Sequence, residues 1–394
     1  MRKYAVFAYF WQKIKIITDM HFNRGIFFAF TAAFLTLSGA FSLDARQAKA
    51  KTVTEASDAR IVYTGRTLKQ GGDVSFDWSG TTCKVRFKGA FIALKCSDTG
   101  ANWYNVWIDK DSGNTPDLTI RTSGNDTTIL LAGKLGKGEH EVTLMKRTEG
   151  EQGLTTFHAF ETDGELMPAS PAKDRHIEFI GDSYTCGFGT ESKSGSDPFL
   201  PETENCNLTY AAIVSRYFNA DFNLVSHSGR GVIRNYDDFG KGVHGTTVTD
   251  KYGRMFDERE TPLAGPATVI PELVVIYLGT NDFSTGMQPH LNAFCDAYLN
   301  LIGQVRSRYG ADVHILCMAS KFTPGIGDYV KEVCRRSGDP KIHSLVLQQD
   351  IHNETSDLGA CGHPNYMGHK KIASAVIPYV ATITGWEMSG DAIR

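Results

Sequence analysis

The sequence predicts two domains, an antiparallel β-sandwich followed by an open α/β domain built on a parallel sheet. Three observations carry this. The chain has 394 residues, too many for one ordinary domain and a natural length for two. Between about 58 and 166, short segments alternate apolar and polar residues, the period of half-buried strands. From 176 onward, short apolar runs are separated by stretches at helical spacing, the pattern of a parallel sheet with right-handed crossovers. Hydrophobic residues make up 41% and charged residues 22%, as in ordinary globular proteins. A net charge of −3 supplies no electrostatic reason for a nucleic-acid partner.

Residues 1–50 read as a targeting segment rather than as fold. The uncharged run from Gly25 to Phe41 follows Arg24, and small residues follow at Ser38-Gly39-Ala40 and Ala48-Lys49-Ala50. That order describes a secretory signal peptide, with Met20 as a second possible start; the rival is an uncleaved N-terminal anchor. Either way the expected location of the remainder is exported: secreted, periplasmic or on the cell surface. In the β region, Val74–Trp78, Lys84–Lys88 and Glu141–Leu144 are the clearest strands. Turn-forming clusters at Lys69–Asp73 and Ser123–Asp126 separate them. Met167-Pro168-Ala169-Ser170-Pro171-Ala172 marks a linker over 167–175, extended because of its prolines. The α/β domain, 176–387, has expected strands at Ile177–Ile180, Phe222–Ser226, Leu273–Leu278, Val313–Cys317 and Ser344–Leu347. Leu291, Phe294, Tyr298, Leu301 and Val305 give one buried helical stripe.

The chemistry sits at the ends of these strands, where open α/β sheets place their sites. Gly181-Asp182-Ser183 follows the first, Gly279-Thr280-Asn281-Asp282 follows the third, and His363-Pro364 lies near the C-terminus. A hydroxyl, an amide and an imidazole are what acyl transfer requires: a nucleophile activated by a base, and donors for an oxyanion. Each piece alone is weak, since Gly-Asp-Ser is commonly a turn and a serine after a strand commonly caps a helix. Thr185 stands where the α/β-hydrolase elbow has its second glycine. Gly187-Phe188-Gly189 mimics a dinucleotide fingerprint, but Ser192 replaces its third glycine.

In combination these blocks resemble the SGNH (GDSL-type) hydrolases: Gly181-Asp182-Ser183, a glycine in Ser226-His227-Ser228-Gly229-Arg230, Gly279-Thr280-Asn281-Asp282, and His363-Pro364. Finer features resemble carbohydrate esterase family 2. They are Gly181 to Gly189, Pro201-Glu202-Thr203-Glu204 with Leu208-Thr209-Tyr210-Ala211-Ala212, Arg230 to Tyr236, Leu278 to Ser284, Ile61 to Arg66, and Gly138-Glu139-His140-Glu141-Val142 with Lys146-Arg147-Thr148. The resemblance covers nearly everything after about residue 58. It implies an α/β SGNH domain with a flavodoxin-like parallel sheet, preceded by a β-sandwich of the jelly-roll kind.

On this basis Ser183 is the expected nucleophile and His363 the general base, with His369 and His227 as weaker rivals. The expected oxyanion donors are the backbone N–H of Ser183, the backbone N–H of Gly229 and the side-chain amide of Asn281. Asp182 and Asp282 are expected to hold turns. The SGNH pattern usually has an aspartate just before the histidine; here Ala360, Cys361 and Gly362 occupy those positions, so a Ser–His dyad is expected. Asp357 or a backbone carbonyl is left to orient the imidazole. Tyr184, Tyr236 and Phe283 adjoin the blocks without an assigned role, and the polar stretch 191–207 is expected to line the cleft. Cys83 and Cys96, on a hairpin expected around Phe87–Phe91, and Cys186 with Cys206 are candidate disulfide pairs, with small buried thiols as the alternative. The absence of Cys-x-x-Cys and His-Glu-x-x-His gives a zinc site no support, and no cofactor is expected. The implied activity is removal of acetyl groups from hemicellulose such as xylan or mannan. The alternatives are a lipid-directed esterase or thioesterase, and a glycan-binding protein with a degenerate site.

Overall fold

A computed structural model describes residues 51–394 except 237, 239–245, 321–322, 391–392 and 394. The targeting segment lies outside the described residues. No described helix is long and apolar enough to cross a membrane.

The five apolar runs of the α/β region form one parallel sheet: β1 His176–Gly181, β2 Asp221–Ser226, β3 Leu273–Tyr277, β4 His314–Ala319 and β5 Ile342–Val346, in the order β2-β1-β3-β4-β5. The runs are continuous rather than alternating because both faces are covered. Phe179, Val275 and Leu316 point to one apolar layer with the helices Tyr210–Tyr217 and Tyr366–Thr384. Their neighbours Ile180, Ile276 and Ile315 point to the other, with Leu291–Tyr309 and Ile326–Ser337. Of the predicted stripe, Phe294, Tyr298, Leu301 and Val305 are fully buried there, and Leu291 at its start is partly buried.

The N-terminal region is a ten-stranded antiparallel sheet with its own core around Phe76, Phe87, Phe157 and Phe160. The predicted strands fall within or over Asp73–Phe76, Thr82–Gly89 and Gly138–Lys146. Two long strands, Ile92–Ile108 and Leu118–Ala132, were not legible, because polar residues such as Asn102 and Asn105 are buried in the first of them. The presumed hairpin is also corrected. Thr82–Gly89 pairs with Gly138–Lys146, which lies between it and Ile92–Ile108. Cys83 therefore sits across from Leu144, and Cys96 across from Thr127 and Phe157. Neither this pair nor Cys186 with Cys206 forms a disulfide; all eight cysteines are free thiols.

Residues of the β region enter the cores of the α/β region. Trp78 packs in the layer with Ile180 and Val225 and donates Nε1–H to the Met255 carbonyl at 3.0 Å. Trp107 and Met145 pack in the opposite layer. Burying a tryptophan removes roughly 200 Å² from water, about 5 kcal/mol of gross transfer free energy. The expected linker is tied down as well: Met167 pairs with Arg86, and the N–H of Ser170 and Lys173 donate to Glu141 and Asp221.

Candidate active site

β1 delivers the serine. Its last residue, Gly181, has no room for a side chain: a Cβ would stand 2.0 Å from Thr185 Oγ1. Asp182 caps the one-turn helix Ser183–Cys186 by accepting from the Tyr184 N–H at 3.2 Å, and Gly187 closes that turn with φ +85°. The turn thus holds Ser183 at the carboxyl end of β1.

His363 arrives from a different part of the chain. It follows the tight turn Ala360–Gly362, where Cys361 (φ +52°) and Gly362 (φ +73°) are both left-handed. It precedes the helix Tyr366–Thr384, capped by Asn365. Its carbonyl accepts from the Gly359 N–H at 2.7 Å. The outcome is a hydrogen bond between His363 Nε2 and Ser183 Oγ of 2.8 Å, across 180 residues of sequence.

The imidazole is held by packing. Phe188 lies 4.4 Å from it and stacks on Phe199 at 4.1 Å, while Tyr184 meets it edge-on at 5.6 Å. Burial lowers the His363 pKa from its ordinary value, against the opposing pull of the Ala360 and Cys361 carbonyls. No hydrogen-bond partner of ordinary geometry reaches the buried Nδ1 among the described residues. Asp357 is not that partner. Its carboxylate accepts from the Asn353 N–H at 2.6 Å and pairs with Lys371, so it ties the loop before the histidine to the final helix. The rivals are engaged elsewhere. His369 is buried, with Nδ1 accepting from the Tyr210 N–H at 3.3 Å, and His227 Nδ1 is 2.7 Å from Asp257.

Gly229 has φ +73°, a conformation that suits glycine. Neither its N–H nor that of Ser183 has an acceptor among the described residues. The Asn281 amide differs: its Nδ2 donates to the Arg230 carbonyl at 2.9 Å and to Asp182 Oδ2 at 3.2 Å, so both hydrogens are engaged. Asp282 holds a turn, accepting from the N–H groups of Val232, Ile233 and Arg234. Burial raises Asp282 to about 6 and Asp182 to about 7.

Ser183, Asn281 and His363 line a cavity of about 350 Å³ with Tyr184, Tyr236, Phe283 and Cys361. Tyr236 stands at its rim, 68% exposed. No residue of 191–207 lines it, contrary to expectation. That stretch instead braces the histidine turn, because the N–H groups of Cys361 and Gly362 donate to the carbonyls of Asp197 and Gly195 at 3.0 and 2.9 Å. The Phe188–Phe199 clamp and Glu149, whose Oε2 accepts from the Ser228 N–H at 2.6 Å, went unread. Aromatic and acidic residues are too common for their type alone to single them out; the motif Lys146-Arg147-Thr148 immediately before Glu149 was the nearest signal.

The chain is similar to known carbohydrate esterases. Residues 63–171 match the family model described as carbohydrate esterase 2 N-terminal, and residues 179–371 match the GDSL-like lipase/acylhydrolase family. The chain is 33% identical over 340 residues to the cellulase/esterase CelE of Acetivibrio thermocellus; the match takes in 83% of this chain and 40% of that longer protein. It is 26% identical over 324 residues to an acetylxylan esterase / glucomannan deacetylase of Cellvibrio japonicus, covering 78% of this chain and 85% of that one. Among solved structures, a family two carbohydrate esterase from Clostridium thermocellum in complex with cellohexaose superposes with a TM-score of 0.75. It has 32% identity and covers 83% of this chain and 100% of that one.

Proposed function

The chain belongs to carbohydrate esterase family 2, and on that premise we propose that it is an exported O-acetyl esterase acting on hemicellulose such as xylan or mannan, by a Ser183–His363 dyad. The observation that carries this is the 2.8 Å contact between His363 Nε2 and Ser183 Oγ at the cavity wall. In the first step His363 takes the Ser183 proton as Oγ attacks the acetyl carbonyl. The oxyanion lies against the N–H groups of Ser183 and Gly229 and the Asn281 amide. Its longer bond, to Asp182, is the one the substrate oxygen displaces. His363 then protonates the departing sugar oxygen, which leaves as the free hydroxyl. In the second half it deprotonates a water that attacks the acetyl-serine, and returns that proton to Ser183 Oγ as acetate leaves.

The dyad works without a carboxylate on Nδ1. The carbonyls of Ala360 and Cys361 favour the protonated ring, and the aromatic clamp fixes its orientation, but less charge stabilises the imidazolium than in a full triad. The finer fold assignments belong to the same reading. The order β2-β1-β3-β4-β5 supports a flavodoxin-like sheet, and the antiparallel N-terminal sheet supports a jelly-roll. Preference for primary 6-O-acetyl groups is the expected linkage selectivity. The printed names of the relatives, an acetylxylan esterase / glucomannan deacetylase among them, support the substrate class.

The experiment is acetate release from acetylated xylan and acetylated glucomannan by residues 51–394 and by Ser183→Ala. Release by the parent and loss of at least about 10³-fold in the variant is expected. No release from either substrate by the parent refutes the proposed activity.

A further inference from the structure

We propose that Glu149, braced by Glu204, is a positioning residue for the oxyanion site: it fixes the Ser228 N–H so that the next N–H, that of Gly229, stays free to face the ester oxygen. The inference rests on the reading of Gly229 as an oxyanion donor.

Glu149 belongs to the β region, three residues beyond the end of the strand Gly138–Lys146, yet it reaches the loop that follows β2. Its Oε2 accepts from the Ser228 N–H at 2.6 Å and from the Cys186 thiol at 3.5 Å. Gly229 is held on its other side too, since its carbonyl accepts from the Tyr236 N–H at 2.7 Å. With the peptide groups on both sides tied down, the Gly229 N–H is left without an acceptor among the described residues, as an oxyanion donor requires.

The backbone that carries the carboxyl is itself held in place. Lys146, fully buried, donates Nζ–H to the carbonyls of Thr148 and Glu149, the second at 3.0 Å. Arg147 Nε–H donates to the Glu204 carbonyl at 3.1 Å. Glu204 Oε2 accepts from the Glu149 N–H at 3.1 Å. Both glutamates are 0% exposed. Each keeps one buried oxygen, Oε1, with no other partner. A single proton on Glu204, donated to Glu149, satisfies both oxygens and avoids two adjacent buried charges. Burial and the Glu149 charge push the Glu204 carboxyl well above the usual range, Lys146 opposing. Glu149 then remains the acceptor that the Ser228 N–H requires. The two motifs that supply these residues, Lys146-Arg147-Thr148 and Pro201-Glu202-Thr203-Glu204, are far apart in sequence and meet at this point.

The test measures the rate at which a small fluorophosphonate labels Ser183, because its P=O occupies the oxyanion position and its reaction is independent of the sugar. Glu149→Ala is expected to label about 10–10²-fold more slowly, the scale of a small misplacement of a reacting group, with KM for acetylated xylan within about twofold of the parent. Glu149→Gln, which keeps an acceptor for Ser228, is expected to rescue most of the rate. Removing the brace with Glu204→Leu is expected to slow labelling about tenfold, while Glu204→Gln, which retains a donor to Glu149, restores it. Parental labelling by a folded Glu149→Ala overturns the proposal. Where Glu149→Ala does not fold, the Glu204 pair decides: equal rates for Leu and Gln overturn it. A parent that labels rapidly but releases no acetate from polysaccharide refutes the substrate assignment and leaves the positioning role standing.

Discussion

Asp282→Ala isolates how the loop carrying Gly229 is held. The Asp282 carboxylate is 0% exposed and accepts three backbone N–H groups, from Val232 at 2.9 Å, Ile233 at 2.8 Å and Arg234 at 3.1 Å. Alanine leaves these donors unpaired, at about 1–3 kcal/mol each before water enters the space. Against this stands the cost of keeping the carboxylate buried. Burial raises the Asp282 pKa to about 6 against the lowering by these same N–H groups, so the variant recovers part of the loss at neutral pH. The net expectation is a loss of about 2–4 kcal/mol in urea unfolding, with kcat for acetate release down about 10²-fold as Gly229 loses its position. Asp282→Asn keeps one acceptor oxygen and is expected to fall between. An unchanged urea midpoint together with parental kcat in Asp282→Ala would refute the argument that this carboxylate organises the loop.

Two further measurements test the site. The base must be neutral to act, and burial lowers its pKa, so activity is lost only as pH falls through a value below the ordinary histidine value of about 6.5. The acid limb of kcat/KM is expected below that value, and a midpoint at or above about 7 would mean that a carboxylate assists the imidazole after all. Gly231→Ala is expected to lower both stability and kcat, because its Cβ would stand 2.1 Å from the Arg234 carbonyl oxygen and 2.4 Å from Asp282 Oδ2. Gly303→Ala, in the exposed face of Leu291–Tyr309 with nothing within 4 Å, is expected to raise stability by up to about 1 kcal/mol with activity unchanged; equal behaviour of the two variants in thermal unfolding and turnover would contradict the steric account.

The sequence by itself determined the parallel sheet, because strands covered on both faces are written as continuous apolar runs such as Leu273–Tyr277. It also brought the candidate site into view, because Gly181, Asp182 and Ser183 favour a tight turn after such a strand, with Asp182 able to cap the helix that follows. His363 was readable from the His363-Pro364 block ahead of a helical segment, by its resemblance to the SGNH pattern. What remained unread was non-local. The presumed hairpin failed because the strand Gly138–Lys146 inserts between two strands that are neighbours in sequence, and no local signal records which strand will occupy that place. Residues 191–207 were readable as a polar loop, but only the tertiary structure shows them supporting the histidine turn instead of lining the cavity. The contact of Glu149 with the Ser228 N–H, and of Phe199 with Phe188 beside His363, depends on packing one region against another. Periodicity and turn chemistry specify elements one at a time; packing brings together groups that the chain keeps far apart, and that step decided how this site is held.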